Sequence, residues 1–302
     1  EPSPKPVPQP EPKPTPEPIT DPEIQPIDRP DSNFYSSVDG FGLIDANHLF
    51  GKLKGEYIGP TPVLGSDSWP LDITNIPDVW ETSTGTNITV AVLDTGVDLD
   101  HPEFRERIVE GKNFAYPGMT PEDINGHGTH VAGIIAASKD DQGVTGVAPG
   151  ARIMPVKVLF DNGFGFMSSV ISGIRYAAKR GADIINLSLG GRSGSPALRD
   201  ALDFAEKKGS LVVMASGNSS GKSPIYPAAY ASEFGVAVGA VDESRQMTWF
   251  SNRAGDSEIS YVTAPGSSIF STVPGGYAKK SGTSMAAPHI SGVAALVKEY
   301  SG

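Results

Sequence analysis

The stretch Asn87-Ile88-Thr89-Val90-Ala91-Val92-Leu93-Asp94-Thr95-Gly96 indicates the fold of this 302-residue chain. It is apolar on both faces, as a buried parallel strand is, and it runs directly into a carboxylate and a glycine. Four further runs have the same character: 153–159, 183–189, 211–215 and 235–241. Because open parallel sheets place functional groups at the carboxyl ends of their strands, Asp94 is the first candidate site residue.

Helical patterns lie between and after these strands. Ser168–Lys179 opens with serines and is followed by Gly181, Pro196–Lys208 starts with proline and stops at Gly209, and Thr283–Tyr300 is long and apolar. Strand and helix alternating at this spacing predict an α/β fold of three layers, in which a mostly parallel buried sheet is flanked by helices on both faces.

The distribution of proline divides the chain into three parts. In residues 1–30 proline stands at nearly every second position, which predicts a linker that is disordered or in polyproline II; a ligand for a proline-recognising domain is the alternative. Residues 31–68 form an N-terminal arm, in which the apolar stretch 41–50 predicts one docked helix. Residues 69–302 form the globular domain.

Composition excludes several classes of function. Lys and Arg number 24 against 35 Asp and Glu, a net charge of −11, and this offers no basic footprint for nucleic acid. The absence of cysteine excludes disulfides, thiolate nucleophiles and Cys-based zinc sites. The sequence contains no run of about 18 apolar residues, so no membrane span is predicted. The chain begins at Glu1 without a signal-like stretch, so we expect a processed or excised chain.

The motif Asp94-Thr95-Gly96 has several interpretations. An aspartic protease uses the same three residues, but it needs two carboxylates that share a proton, and the chain has no second Asp-Thr-Gly or Asp-Ser-Gly. A turn-capping Asp is the structural alternative. The motif therefore needs partners elsewhere in the sequence before it indicates chemistry.

Two further motifs supply such partners. In Asn125-Gly126-His127-Gly128-Thr129-His130, glycines flank His127 just before an apolar helix; a metal site using both histidines is the weaker alternative, because no Glu lies between them as in a zincin. Ser284 lies in the first turn of the last helix, where free N–H groups could stabilise an oxyanion, although a lone serine there is more often a helix cap. Together, Asp94, His127 and Ser284 are the three residue types that activate a serine nucleophile.

With these three motifs, the chain resembles a known family, the subtilisin-like serine proteases or subtilases. The blocks Asp-Thr-Gly, His-Gly-Thr-His-Val-Ala-Gly and Gly-Thr-Ser-Met-Ala-x-Pro-His match together, in the family's order Asp, His, Ser, and the resemblance covers about residues 69–302. It implies a catalytic triad of Asp94, His127 and Ser284, with Asn218 as the side-chain donor of the oxyanion hole.

The resemblance also implies a cleft for an extended polypeptide substrate. Two edges would contact the peptide backbone and two walls would form the pocket for the residue before the cleaved bond. The substrate-binding residues are Gly163, Phe164 and Gly165 on one edge, Ser188, Leu189 and Gly190 on the other, and Ala215, Ser216 and Gly217 in the second wall. None is charged, and Ile225 is expected near the floor, so we expect a preference for apolar residues over Lys or Arg.

A structural calcium site is the cofactor that the resemblance implies. The ligand side chains would be Glu103 and Asp140, and Ser138, Gln142 and Val144 would contribute carbonyl oxygens. An ordinary acidic surface loop is the alternative.

The expected function is that of a serine endopeptidase that acts on polypeptide substrates as a monomer and is secreted or located in the cell envelope. Many members of the family are made with an inhibitory propeptide, which is a possible partner here. A transpeptidase or a processing enzyme of narrow specificity could use the same triad. A catalytically silent binding module is disfavoured by the intact trio of residues. Cytoplasmic members of the family also exist, so location remains open.

The arm carries one further similarity. Asp39-Gly40-Phe41-Gly42-Leu43-Ile44-Asp45-Ala46 resembles the Gly-x-Gly-Leu-x-Asn/Asp-Ala motif with which family domains commonly end, whereas this sequence stops at Gly302, directly after the serine helix. One hypothesis is that the chain is rearranged and that its arm fills the place of the usual C-terminal segment. The alternative is a truncated domain with the arm as a separate decoration.

Overall fold

The computed structural model describes residues 35–54, 64, 67–140 and 142–302, and the predicted linker 1–30 lies outside them. Seven parallel strands form the main sheet in the order β2-β3-β1-β4-β5-β6-β7. Their bounds are β1 Thr89–Asp94, β2 Lys112–Asn113, β3 Arg152–Lys157, β4 Ile184–Leu187, β5 Leu211–Ala215, β6 Val236–Val241 and β7 Tyr261–Pro265. A separate antiparallel hairpin consists of β8 Ile269–Val273 and β9 Gly276–Lys280.

Helices cover both faces of the sheet, so the predicted three-layer α/β fold is confirmed. Their bounds are α1 Ala46–Lys54, α2 Trp69–Ile73, α3 His127–Ala136, α4 Met167–Lys179, α5 Pro196–Lys207 and α6 Thr283–Ser301. Alternate residues of β1 belong to different cores: Val90 and Val92 pack in the core that includes α3 and α6, and Ala91 and Leu93 pack in the core that includes α4 and α5. This alternation follows from the two-residue period of a strand.

The predicted elements differ from the structure mainly at their ends. The strand 211–215 is confirmed as predicted, and β1 begins at Thr89 rather than Asn87, which has a positive φ of 67° and cannot join the ladder. The short β2, the edge strand β7 and the hairpin β8–β9 were not predicted. Their apolar residues are too few or too interrupted to give a strand signal, and pairing with neighbouring strands is what orders them.

The N-terminal arm adds to the edge of the sheet. Leu43 forms a parallel bridge with Thr263 of β7, where the Ile44 N–H donates to the Thr263 carbonyl and the Thr263 N–H to the Gly42 carbonyl, at 3.1 and 2.9 Å. Gly40 has a φ of 60°, and a Cβ there would lie 2.3 Å from the carbonyl oxygen of Tyr261. The expected helix over 41–50 is therefore wrong in its first half, because residues 41–44 pair with β7.

The second half of the arm packs into the core. Helix α1 buries Ala46 and Phe50 completely, and the Phe50 ring lies 5.4 Å from that of Tyr300 near the end of α6. The exposed side of α1 carries Lys52 and Leu53. The arm thus contacts both the last strand of the main sheet and the last helix.

The structure shows no transmembrane helix in the part of the chain that it describes; even α6, with 19 residues, does not reach the required hydropathy.

Candidate active site

Asp94 ends strand β1 at the carboxyl edge of the sheet. Its side chain is fully buried, and its Oδ1 accepts hydrogen bonds from the Thr95 N–H at 2.7 Å and from Nδ1 of His127 at 2.8 Å. Burial without a basic partner is costly for a carboxylate, and these two hydrogen bonds compensate it on one oxygen only, since Oδ2 has no partner among the described groups. Asp94 is therefore positioned to hydrogen-bond with the imidazole of His127.

His127 is the first residue of helix α3. The preceding Gly126 has a φ of 87°, and a Cβ on Gly128 would lie 2.1 Å from the carbonyl oxygen of Gly96. Glycine is thus required on both sides for the helix start to approach the end of β1. Burial lowers the pKa of His127, but the charge and hydrogen bond of Asp94 raise it by more, so its pKa lies above the usual value of 6.5. The imidazole is arranged to accept a proton.

Ser284 lies in the first turn of helix α6 and is partly exposed. Its hydroxyl donates to the carbonyl of Ser188 at 3.0 Å, and the Ser188 hydroxyl donates to the Ser284 carbonyl at 2.8 Å. In the described structure Ser284 forms no hydrogen bond with His127, so the expected hydrogen bond between serine and histidine is not made in this conformation. Nucleophile and base often approach only when substrate is bound, and a rotation of the hydroxyl would change its partner.

Asn218 follows strand β5 and reaches the beginning of α6. Its Oδ1 accepts from the Thr283 N–H at 2.8 Å and from the Thr283 hydroxyl at 3.0 Å. These bonds fix the orientation of the Asn218 amide. Within the described part of the chain, neither Asn218 Nδ2 nor the Ser284 N–H donates to a protein acceptor. Two free donors therefore lie next to the serine, as an oxyanion hole requires.

A cavity lies beside His127, and six of the nine residues predicted to bind substrate line it. This cavity of about 340 Å³ is lined by His127, by Gly163–Gly165 and by Ser188–Gly190. The prediction of an edge strand over Gly163–Gly165 is wrong: the segment is a turn, in which the Gly163 N–H donates to the Phe160 carbonyl and the Phe160 N–H donates to the Phe164 carbonyl at 2.7 Å. The Phe164 N–H donates to Asn162 Oδ1 at 3.0 Å, so both main-chain groups of Phe164 are bonded within the loop.

The residues predicted for the second wall, Ala215, Ser216 and Gly217, do not line this cavity, but Ser216 and Gly217 lie next to Ile225. The Ile225 N–H donates to the Ser216 carbonyl at 3.0 Å. A Cβ on Gly190 would lie 2.6 Å from Ile225 Cδ1, and a Cβ on Gly217 would lie 3.0 Å from the same atom. The Ile225 side chain therefore fills the space between the two glycine walls.

Among the expected calcium ligands, Asp140 Oδ1 accepts from the Gln142 N–H at 3.1 Å, whereas Ser138 and Val144 contact Glu103. This side chain is buried; its Oε2 accepts from the Ser138 N–H at 3.0 Å, and its Oε1 accepts from the Val144 N–H at 3.3 Å and the Tyr277 hydroxyl at 2.7 Å. Arg107 donates to the main-chain carbonyl of Glu103 and to the Ser138 hydroxyl, not to the carboxylate.

Two observations bear on whether these residues fit the ion. Within the described residues, the carbonyls of Ser138, Gln142 and Val144 accept no hydrogen bond, and Asp140 forms no salt bridge. No group of three or more His, Cys, Asp or Glu side chains is found there, so a site would depend on those carbonyls. Hard oxygen donors of this kind fit Ca²⁺.

Four further residues of the site were not predicted. Asp123 and Thr95 connect the aspartate to the histidine helix, the Asn252 carboxamide oxygen accepts from the Ser219 and Gly221 N–H groups beside Asn218, and the buried Lys157 donates to Asp161 at 2.7 Å and to the Thr95 carbonyl. Thr95 belongs to the Asp94-Thr95-Gly96 motif, whereas Asp123, Asn252 and Lys157 belong to none of the three motifs. The only sequence signal for Asp123 is that it is an acidic residue four positions before His127.

Comparisons with known proteins agree with this geometry. The model of the subtilase family matches residues 85–302. The major intracellular serine protease of Bacillus subtilis (strain 168) is 46% identical over 242 residues, or 76% of this chain and 74% of that protein. Thermitase of Thermoactinomyces vulgaris is 41% identical over 243 residues, or 80% of this chain and 85% of that protein.

Solved structures give the same result. A cold adapted subtilisin-like serine proteinase has a TM-score of 0.65 and 41% identity, covering 72% of this chain and 77% of the other. Sphericase has a TM-score of 0.66 and 36% identity, covering 72% of this chain and 78% of the other. The expected subtilisin-like fold is confirmed.

Proposed function

The chain belongs to the subtilase family of serine proteases, and from this premise we propose that it is an endopeptidase whose triad is Asp94, His127 and Ser284. The observation that carries the proposal is the 2.8 Å bond between Asp94 and His127 at the edge of a cleft whose lining residue Ser188 is hydrogen-bonded to Ser284. An oriented imidazole beside an accessible hydroxyl is what acyl transfer needs.

The chemistry follows from these positions. Ser284 Oγ attacks the substrate carbonyl carbon while His127 takes the hydroxyl proton, and Asp94 stabilises the imidazolium. The negative oxygen binds Asn218 Nδ2 and the Ser284 N–H. The C–N bond then breaks, and His127 gives the proton to the leaving amine. Water then attacks the carbonyl carbon of the acyl-enzyme while His127 accepts its proton. The ester C–O bond breaks, and His127 returns the proton to Ser284 Oγ.

Selectivity follows from the wall of the cleft. We propose that the pocket prefers apolar side chains before the cleaved bond and that Ile225 limits their size. The support is the position of the Ile225 side chain between Gly190 and Gly217, together with the absence of charge on the residues that line the pocket. An uncharged, apolar pocket cannot compensate the desolvation of Lys or Arg.

We propose that Ca²⁺ binds beside Glu103. The ligands would be the carboxylates of Glu103 and Asp140 and the carbonyl oxygens of Ser138, Gln142 and Val144. The ion would supply structural cross-linking, tying the loop after α3 to the segment after β1. What supports the proposal is the set of unbonded carbonyls and the lack of any salt bridge to either carboxylate within the described residues.

We also propose that the protein works outside the cytoplasm as a monomer, and that an inhibitory propeptide accompanies its maturation. The acidic composition and the absence of cysteine support an extracellular place, whereas one of the relatives is named as intracellular. Cell fractionation and gel filtration of the purified chain test location and oligomeric state, and pulse labelling of the precursor tests for a propeptide.

The test of the proposed function is reaction with a serine-directed fluorophosphonate, followed by intact mass and peptide mapping, with casein digestion in parallel. We expect one label on Ser284 and casein cleavage, both lost in Ser284→Ala and both retained in Ser281→Ala, an exposed serine just before the helix. Labelling without casein cleavage would indicate a narrow processing enzyme, and added amine would then reveal transpeptidation. No labelling of folded protein would contradict the proposal.

A further inference from the structure

A second buried carboxylate lies beside the triad, on Asp123 in the loop before helix α3. The side chain is 3% exposed. Its Oδ1 accepts from the Thr95 hydroxyl at 2.9 Å and from the Asn125 and Gly126 N–H groups at 3.0 Å, and its Oδ2 accepts from the N–H and hydroxyl of Thr129 at 2.9 and 2.7 Å. Five donors surround one carboxylate, and these hydrogen bonds compensate its burial.

These donors come from the two elements that carry the catalytic pair. Thr95 directly follows Asp94 on strand β1, while Gly126 directly precedes His127 and Thr129 lies in the first turn of α3. The Thr95 hydroxyl also accepts from the Gly128 N–H at 3.0 Å. A single side chain therefore ties the residue after the aspartate to the backbone on both sides of the histidine.

The carboxylate also contributes charge. Asp123 forms no ion pair within the described part of the chain, so no cation cancels its field. The charged and titratable groups that act on His127 are Asp94 and Asp123, which raise its pKa, and Lys280 of β9, which lowers it; His130, in the same helix, titrates far lower, with a pKa of about 4. The negative charge of Asp123 thus favours the protonated form of the His127 imidazole.

We infer that Asp123 is a positioning residue of the catalytic site, which fixes His127 against Asp94 and stabilises the imidazolium with an uncompensated buried charge. The inference rests on the proposed function, in which His127 is the general base. A structural role alone would hold the loop and the helix start together, as a capping residue does. The additional role is to set the geometry and proton affinity of the imidazole, and this can be measured.

The first variant is Asp123→Asn, which removes the charge and turns an amide towards backbone donors. We expect kcat/KM to fall by roughly tenfold to a hundredfold, the range for a misplaced catalytic group. In addition, the acid limb of the pH profile and the NMR titration of the His127 ring should move to lower pH. The matched control is Glu122→Gln, because Glu122 precedes Asp123 in the loop but accepts from the Leu99 N–H instead. It should keep the wild-type profile.

The second variant is Thr95→Val, which keeps the Asp123 charge and shape but removes the hydroxyl between Asp123 and the Gly128 N–H. We expect a several-fold lower kcat/KM with an unchanged titration of the imidazole, which separates geometry from charge. This variant decides the matter if Asp123→Asn does not fold. Wild-type kcat/KM in folded Thr95→Val would then overturn the inference.

The outcomes also distinguish this inference from the proposed function. If the wild-type protein is neither labelled at Ser284 nor active on casein, the proposed function fails first. If it is active and folded Asp123→Asn keeps both the wild-type kcat/KM at every pH and the wild-type imidazole titration, Asp123 is structural only and the inference is wrong. A lower melting temperature without a change in either readout has the same meaning.

Discussion

Ser284 and Ser188 exchange hydrogen bonds: the Ser284 hydroxyl donates to the Ser188 carbonyl at 3.0 Å, and the Ser188 hydroxyl donates to the Ser284 carbonyl at 2.8 Å. Ser188 follows strand β4, and Ser284 begins helix α6. The pair therefore joins one edge of the cleft to the helix that carries the nucleophile. In this conformation the hydroxyl donates its hydrogen bond to a carbonyl, and the proposed attack would require its rotation towards His127.

The oxyanion donor gives the first prediction. Asn218→Ala removes the free Nδ2 and the acceptor of the Thr283 N–H. We expect kcat to fall about 100- to 1,000-fold, which is the range known for this donor in a subtilisin, because the developing negative oxygen loses one of its two donors. Steady-state kinetics with a peptide anilide checks this. Ser219→Ala is the control on the same loop, and an equal loss in both variants would mean that loop disorder, not the donor, is responsible.

The pocket gives the second prediction. Ile225→Gly removes the side chain between Gly190 and Gly217. We expect kcat/KM for substrates with Phe before the cleaved bond to rise by roughly tenfold or more relative to those with Ala, because an apolar pocket discriminates by volume. A peptide library compares the two proteins. A wild-type profile dominated by Lys or Arg would contradict the proposed pocket.

Two buried histidines give the third prediction. Burial lowers the pKa of His130 and of His289 to about 4. Between pH 6.5 and 4 the unfolded chain binds protons that the folded chain does not, so the free energy of unfolding falls as the pH falls through this window. We expect the melting temperature to decrease from pH 6.5 to pH 5, where few carboxylates titrate.

Variants separate this effect from other titrations. His289→Gln should reduce the slope of melting temperature against pH, while the exposed His48→Asn should not. The raised pKa of His127 acts in the opposite sense and outside the window: its stabilisation is complete below pH 6.5 and is lost as the pH rises through the folded pKa. An identical slope in all three proteins would show that buried imidazoles do not account for it.

The arm gives the fourth prediction. Phe50→Ala leaves a cavity beside Tyr300, and we expect it to lower the free energy of unfolding by about 3–5 kcal/mol. Leu53→Ala, on the same helix but 46% exposed, should change it by less than about 0.5 kcal/mol. Urea unfolding measures both. Equal, small effects would show that the arm is a decoration rather than a part of the domain.

Calcium gives the fifth prediction. A chelator should lower the melting temperature of the wild-type protein, because an ion that binds only the folded state stabilises it by mass action. Glu103→Gln should melt lower and respond less to the chelator, whereas Asp203→Asn, on the surface of α5, should respond as the wild type does. If the wild-type melting temperature is the same with and without chelator, the carboxylate of Glu103 is satisfied by its hydrogen-bond donors and the calcium proposal fails.

Much of the site was predictable because each reacting residue lies at the end of a strand or helix with a strong local signal. The apolar run before Asp94 predicted a strand, and the glycines around His127 predicted a close approach of backbones. The prediction of a strand over Gly163–Gly165 was wrong, because strand formation depends on pairing with a neighbour, and the local sequence does not show that Phe164 bonds to Phe160 and Asn162 instead.

Sequence alone predicted the parallel sheet, because burial on both faces and helix starts are written in local patterns. The resemblance of three motifs to the subtilases implied the proposed triad and its order. Tertiary structure decided what those residues contact. Asp123 meets Thr95 across a separation of 28 residues, Ile225 lies between Gly190 and Gly217, and Phe50 packs on Tyr300, 250 residues later in the chain. Contacts between segments so far apart depend on the packing of the whole core, which no local pattern records.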